Sequence, residues 1–485
     1  MKKIYILLAF CLAAFNVSAQ NLRTGYFLDG YSYRYQFNPA FQGDRGFISL
    51  PVISKIGVGM ETSLAIKDFL YPISSGNLGF FLHPEVSDAE AMRNLGHNTM
   101  ASTNIDLNIL GFGFRAKKSY HTFDISLKAN ADITVPGDLF KFMKVGASDG
   151  NSIYDLSDFG LSSQAYAQIA YGFSRTFMDK FNLGIRVKAL MGIETVRAKF
   201  NDLTLKMDSD GWMIKTAGNA TASSIPASFI NNSEELDILN EALKIAKGQN
   251  LGFAVDLGFS MDLWEYLTVS AAILDLGAIS WNDMSIYNFA PEPWMFKGFK
   301  ENIDITESGN INDQLMGELD DLKNIINLEN ITAETKNKHL ERLAITTHIG
   351  AEARLPFYER ISAGILATHK FNGSHSWTEG RFSLNWALLR WFSLAANYAI
   401  SDLGQSYGAA INLHPKGFSV FLGTDSFRPA TKFATNMLPL NDLNTNVVLG
   451  INFPFGKYNG RFPKKDKNEV NKKSDKNKKS DKKKD

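Results

Sequence analysis

The sequence predicts an all-β fold, a transmembrane antiparallel β-barrel of about fourteen strands with helical extracellular loops. Three observations carry that expectation. Apolar and polar residues alternate with a period of two over runs longer than most soluble strands. Tight and long connections take turns between those runs. The N-terminus has the parts of an export signal, yet no later run of about 18 apolar residues offers a spanning helix.

The export signal comes first. Met1-Lys2-Lys3 is a short basic start, and Ile4 to Val17 is almost wholly apolar. Val17-Ser18-Ala19 then supplies the small residues a signal peptidase needs, so residues 1–19 read as a signal peptide and Gln20 as the first mature residue. The single cysteine, Cys11, lies inside the signal, which excludes a disulfide framework and a Cys-rich zinc site. An exported chain with no spanning helix is either soluble or a barrel.

The alternation decides for the barrel. Phe123, Ile125, Leu127, Ala129, Ala131, Ile133 and Val135 are apolar, and every residue between them is polar. The same beat runs through 181–194 and 343–355, with shorter versions at 251–260, 392–400, 407–413 and 447–453. Strands fall at 53–66, 103–116, 121–134, 161–177, 181–198, 249–263, 267–280, 343–357, 361–371, 376–388, 392–400, 405–413, 417–425 and 444–455. The region 202–217 has room for an extra hairpin. Connections near 117–120, 178–180, 264–266, 358–360, 389–391 and 414–416 are tight, and the other end carries the long ones. Short periplasmic turns opposite long extracellular loops mark an outer-membrane barrel, here spanning 51–456. Several tight turns share a frame, with an aromatic and usually a charge, as in Phe177-Met178-Asp179-Lys180 and Phe357-Tyr358-Glu359-Arg360. Such residues suit the membrane–water boundary.

Residues 20–50 are rich in Tyr and Phe, which argues for a plug-like segment rather than a loose arm. Asn38-Pro39 is a turn former within it. The run Tyr33-Arg34-Tyr35-Gln36-Phe37-Asn38-Pro39-Ala40-Phe41, shortly after the signal and before a long barrel, resembles the Bacteroidota porin-like outer-membrane proteins of unknown function. These are similar in turn to FadL-type transporters and to the Por-type barrels of type IX secretion. The resemblance covers roughly residues 20–456. It implies a fourteen-stranded barrel with an N-terminal segment in its periplasmic mouth, and it transfers no ligand residues.

The polar register names the candidate lumen residues: Asp106, Asp124, Lys128, Asp132, Arg186, Lys188, Glu194, Asp256, His348, Glu352 and Arg354, with Asn385, Asn397, Asn412 and Asn452. They read either as a network that fills the barrel or as the wall of a polar passage. Amphipathic helices are expected at 233–247 and 313–328, and Ser87 with Glu90 can cap a shorter one. Residues 457–485 read as a Lys-rich tail, expected to be disordered in the periplasm. Its last part, 464–485, holds 11 Lys against five acids, and taking that +6 and the two leader lysines from the chain's +1 leaves −7 on residues 20–463. The near-neutral total is a basic tail offsetting an acidic body, and nothing in it suits nucleic acid.

No nucleophile elbow, phosphate loop or HExxH pattern occurs, and the eight His are scattered, with His369 and His375 flanking one turn. No enzyme, cofactor or metal is expected. The functional expectation is a porin-like barrel in the outer membrane of a Gram-negative bacterium, in contact with outer-membrane lipid and passing small, hydrophobic solutes. The alternative is a non-transporting scaffold that binds secreted or periplasmic protein partners.

Overall fold

Backbone groups inside a bilayer must find partners within the protein, and a closed antiparallel sheet is one of two ways to do so. A computed structural model shows that solution. It describes residues 22–51, 54–146, 151–208, 211–224, 250–289, 294–296, 331–336, 338–427 and 444–460. The signal peptide, the expected helices at 233–247 and 313–328, and the tail beyond 460 lie outside the described residues.

Fourteen strands close the barrel. β1 comes in two pieces, Gly46–Ser49 and Lys55–Thr62. Then follow β2 (Thr99–Ala116), β3 (Ser119–Val135), β4 (Gly160–Phe177), β5 (Phe181–Asp208), β6 (Leu251–Trp264) and β7 (Leu267–Trp281). The second half is β8 (Ile345–Leu355), β9 (Tyr358–Phe371), β10 (Trp377–Leu389), β11 (Phe392–Ser401), β12 (Gly404–Leu413), β13 (Ser419–Phe427) and β14 (Thr445–Phe455). Each pairs antiparallel with the next, and both pieces of β1 pair with β2 on one side and β14 on the other. No edge is left open, so the closed sheet needs no further partner.

Each of the fourteen runs read from the alternation is a strand. The additional hairpin foreseen at 202–217 is also present: β5 runs on to Asp208 and turns back through Gly211–Ser224. That extension, with Met284–Phe289, Trp294–Phe296 and Ile331–Lys336, continues the sheet beyond the barrel at its long-loop end. Two helices sit at the same end. α1 (Asp88–Leu95) starts at Ser87, whose hydroxyl accepts from the Glu90 N–H at 3.2 Å. α2 (Gly137–Val145) was not foreseen; it lies in the long connection that follows the strand expected at 121–134. The two helices pack around Tyr71, Phe81, Val86 and Phe140 as a small apolar module.

The wall is inverted relative to a soluble protein. Ile349, Ile365, Phe382, Leu384, Leu422 and Val447 point outward and are about half or more exposed. Their neighbours along each strand are buried Ser, Asn, Asp, Glu, Lys and Arg. A continuous apolar outer surface of this kind is stable against acyl chains and not against water. Trp264, Phe357 and Trp391 project at the tight-turn end, where rings partition to the headgroup region.

This assignment gives a depth-dependent expectation. Ile365→Arg, on the lipid face of β9, should destabilise the folded barrel by about 2–4 kcal/mol, and Leu389→Arg, at a tight turn, by about 0–1 kcal/mol. Equilibrium folding of the full chain into lipid vesicles checks both; equal costs at the two positions would contradict the membrane placement.

Candidate functional site in the barrel lumen

Residues 22–45 fill the lumen, and they do so without joining the sheet. The segment folds as short turns, including 3-10 turns at Arg23–Gly25 and Arg34–Gln36. Leu22, Tyr26, Phe27, Leu28, Tyr31, Tyr33, Tyr35, Phe37 and Phe41 cluster inside the barrel with Phe47, Leu366 and Phe421 of the wall. A barrel whose apolar faces look outward has no apolar core of its own, and the segment supplies one.

Glycine on the wall makes the room. The Asn38-Pro39-Ala40 turn lies directly against Gly184 of β5 and Gly258 of β6, where any Cβ would overlap it. The Asn38 side-chain amide donates to the carbonyls of Phe259 (3.0 Å) and Ala271 (3.2 Å), and its Oδ1 accepts from the Ala40 N–H (2.9 Å). One residue therefore closes the turn and fastens it to two strands. Phe27 seats against Gly364 of β9 in the same way.

Charge fixes the other end of the segment. The Arg23 guanidinium meets Glu61 of β1, Glu379 of β10 (3.3 Å) and Asp425 of β13 (3.9 Å), all buried. The Asp425 carboxylate also accepts from the backbone N–H of Arg23 (2.6 Å) and Thr24 (2.5 Å). Arg381 donates to both Glu379 oxygens at 2.9 and 3.0 Å, which completes the group. Lys55 bridges wall and segment, donating to Asp106 (2.9 Å) and Gln36 (2.5 Å).

A second network lies in the wall itself. Arg186 donates to both oxygens of Asp124 (2.6 and 2.7 Å) and to Asp256 (3.2 Å). Lys188 pairs with Asp256 and Asp275, each at 2.6 Å. Lys370 pairs with Asp132 at 3.1 Å. Opposite charges at this depth need such pairing, since an unpaired buried ion is costly.

Of the candidate lumen residues, Asp106, Asp124, Asp132, Arg186, Lys188, Asp256, His348 and Glu352 are buried on the inner face. His348 Nδ1 meets Thr368 Oγ1 (3.0 Å), and Glu352 accepts from Ser362 (2.7 Å). Asn397, Asn412 and Asn452 bond to the segment at Thr24, Asp29 and Ser32; Asn385 lies against Ser362. Lys128 is half-buried and lines an internal cavity, and Arg354 is half-buried near the tight-turn end.

Glu194 is the exception. β5 carries a bulge at Ile193, so Gly192 pairs with inward Tyr166 while Glu194 pairs with Ala165 on the other face. Thr195 takes the inward position instead and donates to Glu341 at 2.7 Å. A period of two continued past a bulge puts every later residue on the wrong face.

Arg23, Glu61, Lys370, Glu379, Arg381, Asp425 and Asp275 belong to the site and were not foreseen. Glu379 and Arg381 were legible, since they continue the inward register of β10. Asp275 was not: it sits in the left-handed region (φ 62°) as an extra residue of β7, and no sequence period reports that. The two His flanking the 372–376 turn do not meet as ligands. His375 Nδ1 faces Thr134 (2.8 Å) and His369 Nδ1 faces Thr378 (2.9 Å). Among the described residues no group of three His, Cys, Asp or Glu could hold a metal.

Beside the segment lies a partly open cavity of about 160 Å³, bordered by Arg23, Gln36 and Phe37 of the segment and by β2, β3, β4, β5, β7, β8, β9 and β10. At the tight-turn end, His414 packs under Gly30 with its Nε2 3.2 Å from Ser393 Oγ. Burial depresses its pKa to about 4, Arg45 adds to that, and Asp29 opposes it.

Two outcomes follow from these contacts. Arg23→Ala leaves Glu61, Glu379 and Asp425 without their shared partner and should cost about 3–5 kcal/mol, read as a lower denaturation midpoint in vesicles. Unfolded His414 titrates near a pKa of roughly 6.5, so between there and its folded value the unfolded chain holds the extra proton and stability drops as pH drops, by up to about 3 kcal/mol. Unfolding midpoints at pH 7.5 and 4.5 should differ less in His414→Gln than in the wild type; an unchanged difference would contradict the assignment.

Comparison with solved structures finds other barrels at low similarity. The toluene transporter TbuX of Ralstonia pickettii is 9% identical, with a TM-score of 0.40 over 87% of this chain and 93% of that one. A FadL homologue of Pseudomonas aeruginosa is 12% identical, TM-score 0.37, over 90% and 98%. The toluene transporter TodX of Pseudomonas putida is 9% identical, TM-score 0.38, over 92% and 96%. No curated protein matches the chain. A family model matches residues 39–425, which run from the Asn38-Pro39 turn to the carboxylate that holds Arg23, and the chain thereby belongs to the family of unknown function DUF5723.

Proposed function

We propose that this protein is an outer-membrane barrel that passes small solutes through a lumen closed at rest by residues 22–45. The lipid-facing wall and the ring-bearing tight turns support the location, with the tight turns toward the periplasm. One observation carries the transport reading. The segment is held by the Arg23 ion pairs, side-chain hydrogen bonds, apolar packing and glycine seats, and by no β-ladder to the wall. It can shift without unzipping the sheet, because β1 and β14 close the barrel independently of it.

The hydrophobic cargo expected from sequence has weaker support than transport itself. The cavity beside the segment is bordered by Arg23, Lys128, Lys188, Lys370, Asp106 and Asp275. Exposed apolar groups that could receive a hydrophobic solute, Leu78, Phe80 and Leu82, lie outside the lumen on the helical module. That same patch supports the second reading, a scaffold that binds a protein partner at its long-loop end. Crosslinking in intact membranes tests it, and recovery of no stoichiometric partner counts against it.

Ser32 Oγ lies 3.2 Å from Asn452 Oδ1, which makes the pair suitable for tethering the segment to β14. In proteoliposomes, Ser32→Cys/Asn452→Cys should pass small solutes when reduced and stop when oxidised. The wild type under the same treatments should not respond. Equal flux in both redox states, or no flux in either, would contradict the proposal.

A further inference from the structure

We infer that the tight-turn end of the barrel binds an anionic phospholipid leaflet, with the Lys-rich tail adding to the same contact. The inference rests on the membrane placement proposed above and not on transport, so the two can fail separately.

Charge is divided along the barrel axis. At the tight-turn end, residues 44–45, 115–118, 175–180, 262–266, 354–360, 390–391, 414–416 and 457–460 hold 11 Lys and Arg against five Asp and Glu. Residues 20–463 as a whole carry −7, so this +6 leaves −13 elsewhere. Pairing within the face does not remove the excess: Lys118 meets Asp179 at 2.8 Å, and both are in the count. Bases stand at five of the six tight turns: Lys117 and Lys118, Lys180, Arg360, Arg390 and Lys416. They therefore surround the mouth. The β6–β7 turn is the exception, with Asp262 and Glu265 beside Trp264.

Apolar side chains set the depth of these bases. Met178, Trp391 and Phe418 are about half or more exposed, each within two residues of Lys180, Arg390 or Lys416. Such tips leave water for the headgroup region and carry the neighbouring base to the level of the phosphates. A ring of bases around the whole mouth suits a continuous anionic surface rather than one docked protein. The exposed apolar tips suit lipid rather than a hydrophilic acidic chain.

The tail begins at the same level. After β14 the Asn459 N–H donates to the Asp44 carbonyl at 2.8 Å, and the Arg45 guanidinium lies over the Tyr458 ring, 5.4 Å from its centroid. These contacts hold the chain against the mouth, so the 25 residues beyond Gly460 start beside the rim. Residues 464–485 carry +6, the same sign as the rim. Rim and tail therefore repel each other and share an attraction to anionic headgroups, to which each base near the surface adds.

Electron paramagnetic resonance of spin-labelled lipids tests this on the full chain in phosphatidylcholine vesicles. At low salt, spin-labelled phosphatidylglycerol should associate with the protein about fivefold more strongly than spin-labelled phosphatidylcholine, the scale of one base beside a headgroup. In about 1 M salt, where screening acts over about 3 Å, that preference should fall by at least about half. Lys117→Gln/Lys118→Gln/Lys180→Gln/Lys416→Gln in a chain ending at Gly460 should keep less than about half of it. Lys67→Gln/Arg93→Gln/Lys141→Gln/Lys338→Gln removes as many exposed bases from the long-loop end and should leave it unchanged. Heat-modifiable migration verifies that each variant folds. A lipid preference without solute flux would overturn the transport reading and leave the inference standing. Equal association of the two lipids, a preference that survives the rim changes, or an equal loss with the long-loop changes would contradict it.

Discussion

A barrel in lipid must spend its apolar side chains on its outer face, and the rest of this structure depends on that constraint. The inner face inherits the polar half of every strand, so it cannot collapse on itself as a soluble core does. Two devices resolve the problem. Arginine and lysine meet aspartate and glutamate in bidentate and bridging pairs across neighbouring strands. A segment rich in Tyr and Phe then occupies the space that remains. Tyrosine suits that space, with a ring for the apolar cluster and a hydroxyl for the wall, as Tyr33 shows at Ser49 and Ser54.

The segment is fastened by two unlike means. At the Asn38 turn the hold is shape: a compact Asx turn in a glycine recess, with backbone carbonyls as acceptors. At Arg23 the hold is charge, and three strands far apart in sequence converge on one guanidinium. Shape contacts are lost by small displacements and are insensitive to salt. Charged contacts inside a low-dielectric lumen reach further and depend on what else can neutralise them. A charged solute that enters beside Arg23 therefore meets an attachment that charge can disturb. His348 and Trp377, which border the cavity, also contact the segment, at Tyr26 and at Arg23.

Much of the fold was legible in the sequence because a lipid-facing strand has a period of two that nothing else in the chain mimics. All fourteen runs appear as strands, and the tight turns fall between the expected pairs. What the period could not carry was its own interruptions. The bulge at Ile193 sends Glu194 to the other face, and the extra residue at Asp275 builds an ion-pair partner for Lys188 where the pattern shows only a break. Partners across the lumen were equally hidden. Arg23 and Asp425 lie at opposite ends of the chain, and no local pattern links them. Asn38-Pro39 was readable as a turn, but its fit to Gly184 and Gly258 depends on two strands that carry no mark of it.

The central claim is that residues 22–45 are an ordered part of the resting barrel rather than an arm that visits it. Hydrogen exchange read by mass spectrometry on the full chain in detergent tests this most directly. Peptides covering residues 22–41 should exchange as slowly as those of the barrel strands, since the backbone N–H groups of Arg23, Thr24 and Ala40 are bonded and buried. Exchange of those peptides at the rate of an unfolded chain, with the strands still protected, would contradict the account.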